Sequence, residues 1–363
     1  MKLSDKQKAF LKIFLCLCIY SVFIFLAGCS YGPNMTCSIF SLKDGTKVTI
    51  QKKFRDVRLN YLEAYADKDT VYLTTRDPEK TRCYIMQYNM QGEKLQEFEL
   101  PFFTDSILGS GAEPCCAFYP AQKLFLYEED LNEDPKLFED RVFYYDLGSG
   151  EKGMIAGIGG KDIVIKQFYV INENLLLVNA FCHTAKKGIL YFIDIKEKKL
   201  AATREIPYLS HVTVDIPLSR LAVFVRDSKN IDIYDLRTLK HLFAIPQNTA
   251  LYLTDCAFAP SGNIMLQAGL GDNLDRIFLS VVKDKHWENI PCIFSVSTKE
   301  HYVLDPQFYS DQIILFRLSD NKNSLSPGQL CFFDLREKKI IKKYPVSPRG
   351  YSKLQGDYLI WED

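Results

Sequence analysis

Ile231-Asp232-Ile233-Tyr234-Asp235-Leu236-Arg237-Thr238-Leu239-Lys240 is the stretch whose reading decides the fold. Its first half alternates apolar and polar residues, the period of a strand with one buried face. Asp235 then opens a turn, because a short carboxylate accepts hydrogen bonds from the backbone just beyond it. Lys240 begins a returning strand. The segment is a hairpin with a carboxylate at its corner.

The same hairpin recurs along the chain. Tyr145-Asp146-Leu147 leads to Lys152, Ile193-Asp194-Ile195 to Lys199, and Phe333-Asp334-Leu335 to Lys339. Weaker copies run from Phe40-Ser41-Leu42 to Lys47, Tyr88-Asn89-Met90 to Lys94, and Leu279-Ser280-Val281 to Lys285. The anchors at 41, 89, 146, 194, 235, 280 and 334 are 41 to 57 residues apart. Two further strands precede each hairpin, as in His211–Ile216 with Arg220–Val225, or Asp255–Phe258 with Asn263–Gln267 around Pro260-Ser261-Gly262. Four strands per unit at a period of roughly 40–50 residues predict a β-propeller.

The blade number follows from the ends. The hairpin at Ser41 has no room for two strands of its own before it. Tyr351–Leu354 and Asp357–Trp361 read as two strands with no hairpin after them. Joined, the two fragments make one blade and remove an exposed edge. The expectation is one all-β domain over 36–363 with seven blades, the termini sharing one; six or eight are the alternative counts. Tyr-Asp-Leu and Phe-Asp-Leu closing the third strand resemble WD40-type and YVTN-type propeller repeats. The Trp-Asp pair of WD40 repeats is absent, since neither Trp287 nor Trp361 precedes an Asp in that pattern. The resemblance concerns architecture only.

Composition agrees with a large folded β-protein. The 363 residues are 47% hydrophobic and 13% aromatic, and 45 basic residues balance 45 acidic ones. A net charge of zero supplies no basic field for nucleic acid, so no nucleic-acid partner is expected.

The first residues read as a targeting segment. Lys2, Lys6, Lys8 and Lys12 precede an uncharged run from Ile13 to Gly28. A basic start, a short apolar run and small residues at its end form a secretory signal. A retained transmembrane anchor would want roughly 20 apolar residues. Leu26-Ala27-Gly28-Cys29 resembles the bacterial lipobox. That resemblance implies a signal peptide over 1–28, cleavage before Cys29 and acylation of its thiol, with 29–35 as a tether. It implies a palmitate-type anchor in the bacterial cell envelope. Ser30 resembles the class sent to the outer membrane, facing the periplasm or the cell surface.

Local chemistry is sparse. Asp130-Leu131-Asn132-Glu133-Asp134 has the oxygen spacing of a calcium loop, but Pro135 stands where glycine is needed and Arg141 where the bidentate Glu would fall. The stretch reads as a solvated acidic loop. Cys115-Cys116 reads as alternate strand positions rather than a disulfide ring at a quinone. The eight cysteines after Cys29 are expected to be mostly buried thiols, with Cys83, Cys256, Cys292 and Cys331 inside apolar strands. His183, His211, His241, His286 and His301 form no local zinc pattern. No G-x-S-x-G is present. Gly157–Gly160 reads as a turn between blades. No catalytic, cofactor or metal residue is assigned.

The long connections Phe102–Glu113, Glu128–Asp140 and Leu318–Gly328 fall on one face of a propeller, where binding loops belong. The function expected is a non-enzymatic, membrane-anchored binding or scaffold module for a protein or glycan partner on that face. The alternative is a propeller hydrolase or lyase with a central-channel site.

The anchor has a direct check. Cys29→Ser should abolish incorporation of labelled palmitate in cells and leave the signal segment uncut. A processed, labelled Cys29→Ser protein would show the lipobox reading to be wrong.

Overall fold

The computed structural model describes residues 35–41, 47–52, 63–67, 70–77, 82–89, 91–100, 116–131, 139–225, 228–248, 252–320, 328–346, 352–355 and 358–362. All elements among them are antiparallel strands. The first blade is β3 (Glu63–Asp67), β4 (Thr70–Asp77), β5 (Arg82–Asn89) and β6 (Lys94–Leu100). The second is β7 (Cys116–Tyr119), β8 (Leu124–Asp130), β9 (Asp140–Asp146) and β10 (Lys152–Gly159). The third is β11 (Ile163–Asn172), β12 (Leu175–Cys182), β13 (Lys187–Asp194) and β14 (Lys199–Pro207). The fourth is β15 (His211–Asp215), β16 (Arg220–Phe224), β17 (Asn230–Asp235) and β18 (His241–Pro246).

The fifth blade is β19 (Tyr252–Phe258), β20 (Ile264–Gly271), β21 (Leu274–Lys283) and β22 (His286–Asn289), with β23 (Phe294–Ser297) also on β21. The sixth is β24 (His301–Phe308), β25 (Ile313–Asp320), β26 (Gly328–Asp334) and β27 (Lys339–Val346). The remaining sheet runs in the order β2 (Lys47–Lys52), β1 (Met35–Ser41), β29 (Tyr358–Glu362), β28 (Ser352–Gln355).

The expected count of seven blades needs correction in what it counts. Six blades are repeat units, each folded from four consecutive strands, and six was the alternative count. The seventh sheet is a composite of both chain ends, with Cys37 opposite Glu362 and Phe40 opposite Leu359. Its physical basis is edge pairing between β1 and β29, not a further copy of the repeat. The fifth blade departs from the repeat too. Its outer edge is split, β22 pairing with one end of β21 and β23 with the other. Pro291 lies in the break, and a proline cannot donate to a ladder. Cys292, expected inside an apolar strand, is exposed there, whereas Cys116, Cys182, Cys256 and Cys331 are buried free thiols.

The anchors fold as their chemistry dictates. Asp235 Oδ1 accepts from the Arg237 and Thr238 amides at 3.1 and 2.6 Å and from the Thr238 hydroxyl at 2.8 Å. Asp146, Asp194, Asp334 and Asn89 cap their own turns with the same side-chain-to-amide bonds. Four residues after each of the four Asp anchors the chain turns left-handed, at Gly150, Lys198, Leu239 and Lys338. The recurring lysines Lys152, Lys199 and Lys339 are the first residues of the returning strands.

The core lies between blades. Phe118, Phe125 and Tyr127 of the second blade pack with Ile85 and Leu100 of the first. Further clusters join the second and third, third and fourth, fourth and fifth, and fifth and sixth blades. Polar staples reinforce the joints. Asp140 Oδ2 accepts from the Ile165 amide of the next blade at 2.6 Å, and Asp275 Oδ2 from Val303 at 2.7 Å. Both aspartates are buried and sit at the start of the third strand of their blade. Gly159 makes the first staple possible, since a Cβ there would lie 1.8 Å from the Asp140 carbonyl oxygen.

Deleting residues 351–363 removes β28 and β29 and leaves β1 with an unpaired edge. The lost burial is comparable with the whole net stability of a domain, ~5–15 kcal/mol. The shortened chain should aggregate or melt far below the full chain, whereas deleting 30–33 should shift the melting temperature little. An unchanged melting curve after the C-terminal deletion would show that β28 and β29 contribute nothing to closure.

Candidate functional site

The first strands of successive blades lie side by side, β7 against β11, β15 against β19 and β19 against β24. They surround the axis. At one end of the channel β11, β15 and β19 bound a cavity of about 490 Å³. It runs along β15 from Ser210 to Val214 and so reaches the end where that first strand begins. Connections between blades therefore form its mouth.

Two irregularities shape the walls. In β11 the register passes from Ile165 opposite Ala180 to Gln167 opposite Asn179, leaving Lys166 as an extra residue. In β19 it passes from Leu253 opposite Gly269 to Asp255 opposite Ala268, leaving Thr254. A β-bulge of this kind re-aims the residue it inserts. Lys166 and Thr254 both line the cavity, on either side of the regular strand β15. The Ile165 amide at the first bulge is the one that Asp140 accepts.

The chemistry of the cavity comes from three blades. Lys166 belongs to the third, His211 to the fourth and Asp255 to the fifth. The His211 imidazole is exposed and stacked on Phe224, with centroids 5.2 Å apart. Asp255 Oδ1 accepts from the Cys256 amide at 2.7 Å. Burial holds the Lys166 ammonium below the usual lysine range. Ser210 is buried and donates to the Pro207 carbonyl at 2.6 Å, so its hydroxyl is committed to a turn. A smaller depression of about 200 Å³, at Gly328 and Lys343 on the outside of the sixth blade, brings no acid–base pair together.

The residues singled out in the sequence fare unequally. Cys29 and its lipobox, Cys115, and the loops 102–113, 132–138 and 321–327 lie outside the described residues. Cys116 is buried in β7. The histidines are dispersed: His211 in the cavity, His183 in a turn of the third blade, and His241 3.3 Å from Asp232 at the start of β18. Among the described residues no group of three His, Cys, Asp or Glu side chains could hold a metal ion. Lys166, His211 and Asp255 escaped the sequence reading because no local motif links residues of three blades. Their one shared signal is position in the first strand of a blade.

The acidic edge of the second blade is charged in an unusual way. Asp130 and Asp140 stand directly opposite each other across β8 and β9. Burial raises the Asp140 carboxyl to about 6, against the hydrogen bond from Ile165. Burial first, then Asp140, Asp130 and Glu129, raises Glu128 to about 8.

Three solved structures share this architecture. The chain resembles a prolyl endopeptidase at 11% identity and TM-score 0.50, covering 88% of this chain and 51% of that one. It resembles oligopeptidase B from Leishmania major at 10% identity and TM-score 0.54, covering 88% and 47%. It resembles a chain of the mitotic checkpoint complex at 10% identity and TM-score 0.50, covering 84% and 85%. This chain therefore spans about half the length of the two peptidases it matches. No protein-family pattern and no curated protein matches the sequence. Such distant likeness establishes the propeller fold. The expectation of a non-enzymatic binding or scaffold module is corrected. Peptidases stand among the neighbours, and the channel mouth gathers acid–base groups that the sequence could not place.

The raised carboxyls have a thermodynamic consequence. A folded pKa above the unfolded value means that the fold favours the protonated form. Glu128 therefore contributes stability that is full below about pH 4.5 and is lost as pH rises through about 8. The slope is at most ~1.4 kcal/mol per pH unit. Glu128→Gln should flatten the fall in melting temperature between pH 5 and 8. A variant with the same pH profile as the parent would rule this out.

Proposed function

We propose that the chain is a propeller hydrolase whose site is the channel mouth between the third, fourth and fifth blades. The observation that carries this reading is the convergence of His211, Asp255 and Lys166 on one polar cavity. An imidazole transfers protons near neutral pH. His211 or Asp255 can take the proton of a water that attacks a carbonyl carbon. That proton then passes to the leaving group as the old bond breaks, and the ammonium of Lys166 faces the negative charge that develops on the oxygen. Two neighbours are peptidases, which makes a peptide bond the first substrate to test. The connections between blades are the entrance for the chain to be cut.

The Leu26-Ala27-Gly28-Cys29 pattern supports placing this activity at a membrane. A Cys29 carrying two or more acyl chains holds a protein there stably. Ser30 favours the outer membrane. The finer likeness to WD40- and YVTN-type repeats rests on Tyr234-Asp235-Leu236 and its copies.

The test uses the full chain purified in detergent micelles with a mixture of synthetic peptides, cleavage being read by mass spectrometry. The parent should cut a subset. His211→Ala and Asp255→Asn should each lower kcat/KM by about 10²-fold, the usual contribution of a proton-transfer group, without changing the melting temperature. No cleavage by the parent, or full activity in both variants, would sink the proposal.

A further inference from the structure

Beside the cavity, on the third blade, lies a cluster of which the hydrolytic reading uses only Lys166. Phe181, at the end of β12, packs edge-on against His183 and Tyr208, with centroids 4.7 and 5.7 Å away. The Tyr208 hydroxyl and His183 Nδ1 share a 2.7 Å hydrogen bond. Two ammonium groups cap these rings. Lys166 Nζ is 4.9 Å from the Phe181 centroid, and Lys186 Nζ is 4.9 Å from that of Tyr208.

The two lysines reach this place by different backbone features, a bulge and a turn. Lys166 is the inserted residue of the β11 bulge. Lys186 turns left-handed, at φ +50°, in the connection from β12 to β13. Eleven other described non-glycine residues do the same, so this is the ordinary turn of the fold. Many lysines of this protein lean on carboxylates, among them Lys152 on Glu129, Lys198 on Asp146 and Glu151, and Lys339 on Glu337. Neither Lys166 nor Lys186 has an ion pair among the described residues. For an exposed lysine that costs nothing. Lys166, however, is half-buried, and an ammonium withdrawn from water without a counter-charge is unfavourable. The rings offset part of that cost through their negative faces. An anion in the mouth would offset more.

We propose that Lys166 and Lys186, held on Phe181 and Tyr208, form an anion subsite that selects ligands bearing a carboxylate, namely acidic peptides. The proposal rests on the channel mouth as the place where ligand enters, but not on cleavage. A carboxylate accepts charge-assisted bonds from both ammonium groups, and the half-buried His183 ring offers a wall to its methylenes. The phenol of Tyr208 and the imidazole of His183 hold each other, which fixes the ring under Lys186.

Binding of fluorescein-labelled peptides to the full chain in micelles tests this directly, by anisotropy. A Glu-rich hexapeptide should bind at least ten times more tightly than its Gln counterpart, and the difference should shrink as salt rises. Lys166→Met and Lys186→Met keep the apolar stem and remove the charge. Each should erase most of the preference while leaving the melting temperature unchanged. Lys166→Arg should restore it, and Lys338→Met, on the outer hairpin of the sixth blade, should not affect it. Equal binding of the two peptides, or a preference that survives both Met variants, would overturn the subsite. Inorganic phosphate that displaces the Glu peptide at lower concentration than acetate would overturn the carboxylate assignment in favour of phosphate. Lysine-dependent binding without cleavage would leave the subsite standing and the hydrolase reading refuted. Cleavage without acidic preference would do the reverse.

Discussion

No blade of this protein can bury its own faces. A twisted four-stranded sheet has two surfaces and two edges, and each apolar surface must find another sheet. Every one of the buried clusters described here is shared by two neighbouring blades. Stability thus belongs to the joints rather than to the repeats, and a ring is the arrangement that leaves no joint open. The antiparallel contact of β1 with β29 follows from the same constraint, because an open end would expose both an apolar face and a row of unpaired amides.

The joints also set where polar groups are buried. Asp140 and Asp275 occupy equivalent places in the second and fifth blades, each accepting an amide from the first strand of the next blade. Gln267 acts similarly in another joint. Its side-chain nitrogen donates to the Pro246 carbonyl at 2.9 Å, while its oxygen accepts from the Asn248 amide at 2.8 Å. These side chains supply partners for backbone groups that a sheet ladder cannot reach, which is why they tolerate burial. Apolar packing holds neighbouring blades together, and the staples fix how far one slides along the other.

What the sequence disclosed and what it hid divide along the range of the interactions. The hairpin corners were legible because Asp146, Asp194, Asp235 and Asp334 bond amides two or three residues away. Strand pairs were legible from period-two alternation, as was the complementarity of the strands at the two chain ends. The split edge of the fifth blade was not, although Pro291 marked it. The bulge at Lys166 has no local signature, and the residue beside it is bound by Asp140 of a different blade. The channel mouth needed residues 166, 211 and 255 to be brought together, and only the ring does that.

The scaffold and the site meet at one carboxylate. β11 is an edge strand of its blade, so its outward amides have no ladder partner, and a buried free amide is costly unless something accepts from it. Asp140 accepts the Ile165 amide, so the distortion that presents Lys166 to the cavity is supported from the neighbouring blade. Gly159 and Gly160 wrap the same aspartate, the Gly160 amide donating to its carbonyl at 3.0 Å. The contact that staples the second blade to the third is therefore also the contact that shapes the wall of the mouth. A change in how those blades pack would move Lys166 relative to His211 and Asp255, so the geometry of the mouth depends on how the second and third blades are joined.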